Sequence, residues 1–164
     1  MNFPVGKITD EEIKVNEFDW KKKLAEFESA QFNGFIVVTI EGVNGLEEGV
    51  LFFQKGNAVA SFYEFTKFGL PVKGKKSLEM FFNALNAEYG IGEIHKLSTQ
   101  QMELILAFNE DIKFDKPKNK RELMGLFTDR FSSIYARETL SEVLESIESK
   151  SEVFKRIGLT NLGR

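Results

Sequence analysis

The sequence predicts an α+β fold: an antiparallel sheet of four or five strands in a meander, with helices packed on it and a small C-terminal helical appendage. Three observations lead there. Three strand-like segments follow one another between residues 35 and 65, joined by glycine-containing turns too short for a crossover helix. Apolar residues recur at helical spacing on either side of them. Beyond a polar stretch around Pro117 the pattern is helical throughout.

Each element has its own signal. Glu12-Ile13-Lys14-Val15 alternates as a short edge strand does. Asn16 offers an N-cap with Asp19 nearby, and Trp20, Leu24 and Phe27 give one apolar face to a helix over 17–31. Phe35 to Glu41, Gly49 to Gln54 and Ala58 to Phe65 are the three meander strands, turned by Gly42 to Leu46 and by Lys55-Gly56-Asn57. Because Phe35-Ile36-Val37-Val38 is apolar at every position, the centre of the sheet must be covered on both faces. Thr66 to Lys76 reads as a loop, and Ser77 as the cap of a helix bearing Leu78, Phe81, Phe82 and Leu85. Ile91 to Leu97 is a further strand, and Ser98 with Gln101 makes a capping box before Met102, Ile105 and Phe108. Asn109 to Asn119 reads as a linker, which divides the chain into an α+β interaction domain at 1–110 and a helical appendage at 111–164. In the appendage Leu123, Phe127, Phe131 and Ile134, then Leu140, Val143, Leu144 and Ile147, keep helical spacing, with a last turn stopped by Gly158.

Composition excludes much chemistry. The 164 residues suit one domain or one with an appendage, and contain no cysteine, hence no disulfide, thiolate nucleophile or cysteine-held metal. There is no Asn-x-Ser/Thr acceptor, no apolar signal core and no apolar run longer than Leu104 to Phe108, so a cytoplasmic protein away from membranes is expected. The net charge of −3 gives no global attraction to nucleic acid. Seventeen phenylalanines against 3 Tyr and 1 Trp imply an aromatic core or exposed apolar surface.

No motif carries catalysis. Gly69-Leu70-Pro71-Val72-Lys73-Gly74-Lys75 has the spacing of a phosphate-binding loop, but Lys76 stands where the metal-binding hydroxyl belongs and Pro71 removes an N–H. The single histidine, His95, reads as solvent-facing, and Glu47-Glu48 as a solvated pair beside a hairpin loop. No catalytic residue, metal ligand or cofactor is assigned. The candidate partner-binding residues are Phe62, Phe65 and Phe68 at the end of the third strand. Two basic stretches, Lys73, Lys75 and Lys76, and Lys118, Lys120 and Arg121 with Lys116, are candidate phosphate or nucleic-acid contacts.

One series of residues resembles a known family. Phe3-Pro4-Val5-Gly6, then Phe32-Asn33-Gly34-Phe35-Ile36-Val37-Val38, then Glu47 to Asn57 and Val59 to Glu64 are similar to an archaeal family of unknown function, chiefly from methanogens. They are also distantly similar to PATAN-type modules of bacterial signalling proteins. The resemblance covers roughly residues 3–110 and implies an α+β interaction module with no catalytic residues to carry over. The expected function is therefore a non-enzymatic protein–protein interaction or adaptor module, in a signalling or regulatory assembly, with a protein partner or a second copy. The alternative is nucleic-acid binding through the linker lysines and C-terminal helices, as in a degenerate helix-turn-helix.

Overall fold

The computed structural model describes residues 4–156, with side chains to residue 147. The strands are β1 (Lys7–Lys14), β2 (Gly34–Gly42), β3 (Gly45–Gln54), β4 (Asn57–Phe65), β5 (Leu70–Lys73), β6 (Gly90–Lys96) and β7 (Lys113–Lys118). The helices are α1 (Trp20–Ser29), α2 (Gly74–Ala84), α3 (Thr99–Phe108), α4 (Lys120–Met124) and α5 (Ser133–Arg156). Gly158, expected to stop the last helix, lies outside the described residues.

All strand pairs are antiparallel, in the order β1-β6-β2-β3-β4-β5. The far edge of β4 is shared. Its C-terminal half pairs with β5, and Ala58 and Ala60 pair with β7. A bulge at Val59, between the Phe52–Ala60 and Phe53–Ala58 pairs, lies in the half that takes β7.

The fold is thus mixed α and β around an antiparallel sheet, but with seven strands where four or five are expected. The two unexpected ones, β5 and β7, are short and carry Pro71 and Pro117, and β7 is largely charged. At a sheet edge both features are tolerated, because one row of backbone groups faces solvent and proline needs no partner there. For the same reason neither gives an apolar alternation to read. The stretch expected as a linker is therefore a short 3-10 turn followed by β7, and the expected loop 66–76 holds β5 and the start of α2. Asp19, not Asn16, caps α1 by accepting from the Lys22 N–H, and Ser98 with Gln101 makes the expected capping box on α3. Ser77 lies inside α2 rather than at its cap, buried against Ser61.

Both faces of the sheet centre are covered. On one side Ile36, Val38, Leu51, Phe53 and Tyr63 pack under α1 and α2, joined by Leu123 of α4 and Ala136 and Leu140 of α5. Here Phe27 stacks on Phe32 with ring centroids 4.0 Å apart, and Phe53 meets Phe27 edge-on. On the other side Phe35, Val50, Phe52, Ala60 and Phe62 pack under α3 through Met102 and Ile105.

The C-terminal segment is pinned by polar clamps as well as by packing. Asn83 of α2, 4% exposed, accepts from the Ser132 N–H at 2.7 Å and donates to the Ser132 carbonyl at 3.1 Å. Tyr135 donates to Glu79 at 2.7 Å. A fragment ending at residue 110 keeps six of the seven strands and three helices, and loses the cover of Leu123, Ala136 and Leu140. We expect it to unfold cooperatively with a lower midpoint than the whole chain, and to retain protected β2 and β3 amides. Thermal unfolding with amide exchange tests this, and a molten or aggregating fragment would contradict it.

Candidate functional site

Alternate residues of a strand face opposite sides of the sheet, so the register fixes what lies beside α3. On that face β2 presents Phe35, Val37, Thr39 and Glu41, and opposite them β3 presents Phe52, Val50, Glu48 and Leu46. Next in line β4 presents Ala60, Phe62 and Glu64, and β6 presents His95, Glu93 and Ile91. β2, β3 and β4 change from apolar to polar at one row, where Thr39, Glu48 and Glu64 stand side by side. A helix of 10 residues is about 15 Å long and 10 Å wide, whereas the 9 residues of β2 run about 30 Å. One helix leaves the far end of this face open, and Leu46 and Ile91 there are 59% and 53% exposed.

The open end is acidic. Glu48 and Glu64 are directly paired across β3 and β4, an arrangement that costs stability. Desolvation at the sheet surface, and then the charge of Glu64, raise the Glu48 carboxyl above the ordinary range. Among the described residues neither of them, nor Glu41, has an ion-pair partner. Most of the site lysines, by contrast, do have one. Lys73 pairs with Asp111, Lys75 with Glu79, Lys76 with Glu142, Lys118 with Glu122, and Lys120 with Glu28 at 2.6 Å.

The residues singled out in the sequence are distributed differently from expectation. Phe62 and Phe65 are buried, 4% and 1% exposed, on opposite faces of the sheet, and only Phe68 reaches solvent at 39%. They form no common patch, because successive β4 residues alternate sides. Most of the phenylalanine excess is in the core. His95 is buried, not solvent-facing: its ring stacks on Phe35, with Nδ1 2.7 Å from the Val5 carbonyl and Nε2 3.0 Å from Glu93.

The phosphate-loop spacing does not make a phosphate loop either, since residues 70–73 are extended as β5. The two basic stretches do converge. Lys75, Lys116 and Lys118, joined by Lys113, line a groove of about 570 Å³ between α2, β7 and α4. Lys73 and Lys76 are held away in ion pairs, and Lys120 is held by Glu28 of α1. Arg121 is exposed on α4 outside the groove lining.

Among the described residues no group of three or more His, Asp and Glu side chains could hold a metal ion, and no helix is long and apolar enough to cross a membrane.

A family model described as uncharacterized protein conserved in archaea, DUF2226, matches residues 1–109. The chain belongs to this family. No curated protein and no solved structure matches it. The DUF2226 match spans β1 to α3 and ends just before β7, so it takes in the acidic sheet end but not β7 and α4 of the groove.

Glu47 is the residue that the sequence most conceals. Its neighbour Glu48 faces α3's side, whereas Glu47, 1% exposed, points to the other face. Its carboxylate accepts from the Tyr63 hydroxyl at 2.6 Å and from the Val43 N–H at 2.9 Å, which closes the β2–β3 turn. A Cβ on Gly42 would come within 2.1 Å of this carboxylate, so the turn needs a glycine there. Burial raises the Glu47 carboxyl above its ordinary value, against the two hydrogen bonds that lower it. The folded chain therefore keeps this proton to higher pH than the unfolded chain. The stabilisation is complete below the ordinary carboxylate range and declines as pH rises through the raised value.

We expect Glu47→Gln to lose this decline, so that the stability difference between wild type and variant shrinks or reverses as pH rises through that window. Glu47→Ala should cost about 2–3 kcal/mol, because it leaves a buried hydroxyl and an N–H without partners. Denaturant titrations at several pH values measure both.

Proposed function

We propose that this DUF2226 chain is a non-enzymatic interaction module that receives a basic amphipathic segment of a partner protein on the open end of the sheet beside α3. The observation that carries the reading is the Glu48–Glu64 pair, two like charges held opposite each other with no ion-pair partner among the described residues, while the site lysines elsewhere are mostly matched. A helix with lysines or arginines on one side would neutralise Glu41, Glu48 and Glu64, and its apolar side would cover Ile91, Leu46 and the half-buried Val37. α3 already shows that this face accepts a helix. Addition of a partner strand is less favourable: β1 is bulged, β5 is short, and β5 and β7 both carry proline.

An adaptor role in a signalling or regulatory assembly, which the sequence resemblance to PATAN-type modules implies, is the biological setting we propose. Nucleic-acid binding is less favoured. The sheet end is acidic, and Lys120 is held by Glu28 of α1 at 2.6 Å.

Titration of the labelled chain with a short leucine–lysine amphipathic peptide, followed by amide chemical shifts, tests the reading. We expect saturable shifts centred on Thr39, Glu48, Glu64 and Ile91. Glu64→Lys should weaken binding about tenfold while raising stability by about 0.2–1 kcal/mol, since it replaces a like-charge pair by an opposite one. Shifts centred elsewhere, or unaltered affinity in Glu64→Lys, would contradict it. Submicromolar binding of a DNA or RNA oligonucleotide at physiological ionic strength would favour the nucleic-acid reading instead.

A further inference from the structure

The groove between α2, β7 and α4 has no part in that reading and sits at a different edge of the sheet. Its floor is apolar, made by Leu78, Phe114, Leu123 and Leu126, of which Leu78 and Leu123 are buried. Its rim is cationic, with Lys75, Lys113, Lys116 and Lys118 against Glu79, Asp115 and Glu122. A volume of about 570 Å³ is in the range of small-molecule sites rather than of protein interfaces.

The rim is also available. Lys116 has no ion-pair partner among the described residues. Lys75, Lys113 and Lys118 are held by surface pairs of 3.4, 3.5 and 3.6 Å within their own local segments. Exposed pairs of this kind contribute at most about 1 kcal/mol each, so the ammonium groups are readily redirected to a ligand. Gly74 and Lys75 bring the first turn of α2 to the same groove, a turn with no side-chain cap and no acidic residue.

We propose that the groove binds a small amphiphilic anion, with an acyl or aryl body on the leucine and phenylalanine floor and one carboxylate or phosphate head among the lysines. The floor needs an apolar body, which excludes a bare phosphate as the natural occupant. The rim needs a negative head, which excludes a neutral or cationic lipid. Because β7 and α4 hold the rim and part of the floor, occupancy would also tie the C-terminal segment to α2.

Calorimetric titration of the full chain with decyl phosphate and decanoate, both below their micellar concentrations, tests this. Inorganic phosphate and decyltrimethylammonium serve as the head-only and charge-inverted probes. One-to-one binding of the two anionic amphiphiles is expected, with amide shifts over residues 74–78 and 113–118 and at least tenfold weaker binding of both controls. Lys116→Glu, a change at an exposed position, should leave the fold intact and weaken the anions about tenfold, and Leu126→Asp should do the same by removing floor. Equal binding of the cationic amphiphile, binding only above the micellar concentration, or no binding would each overturn the proposal. Tight binding of inorganic phosphate alone would replace the amphiphile with a simple anion. None of these outcomes bears on the acidic sheet end, whose residues lie outside the shifts expected here.

Discussion

The structure depends on the central strands being apolar on both sides. Phe35, Val37, Val50, Phe52 and Phe62 face one way, and Ile36, Val38, Leu51, Phe53 and Tyr63 the other. Burial of side chains of this size contributes about 1.5–3 kcal/mol each, so neither face can stay wet. The helices follow from that requirement. α1 and α2 with the C-terminal helices serve one face, and α3 serves the other. Since α3 is shorter than the strands it covers, the strands turn polar where its cover ends. The acidic sheet end is thus a boundary of the core, and the like-charge pairing of Glu48 with Glu64 is what distinguishes it from an ordinary solvated margin.

The central strands and most of the helices were legible in the sequence because their patterns are strong. Phe35 to Val38 announces a two-sided strand, Lys55-Gly56-Asn57 a tight turn, and Ser98 with Gln101 a helix start. The strands along the β4 edge were not, since Leu70–Lys73 and Lys113–Lys118 are held by β4's backbone rather than by apolar alternation of their own. That is why a segment with proline and three lysines reads as a linker and folds as part of the sheet.

The candidate sites were less legible, because each needs the register. Glu47 and Glu48 are adjacent and chemically identical, yet one closes a turn inside the core and the other stands at the surface opposite Glu64. Glu47's role could have been suspected only from Gly42 and Tyr63, which are 5 and 16 residues away in sequence. Phe62 and Phe65 look like one patch until alternation sends them to opposite faces. The lysines fared better: two stretches forty residues apart meet at one groove, although several of their members are diverted to nearby carboxylates.

The proposed docking of a basic segment on the open sheet end is tested most directly by a charge exchange. The Glu48→Lys/Glu64→Lys chain and its parent would each be titrated with a leucine–lysine amphipathic peptide and with its leucine–glutamate counterpart. The parent is expected to bind only the lysine peptide, and the double variant to reverse this preference, with shifts in the same strands. Unchanged preference in the double variant, with the fold intact by amide spectrum, would contradict it.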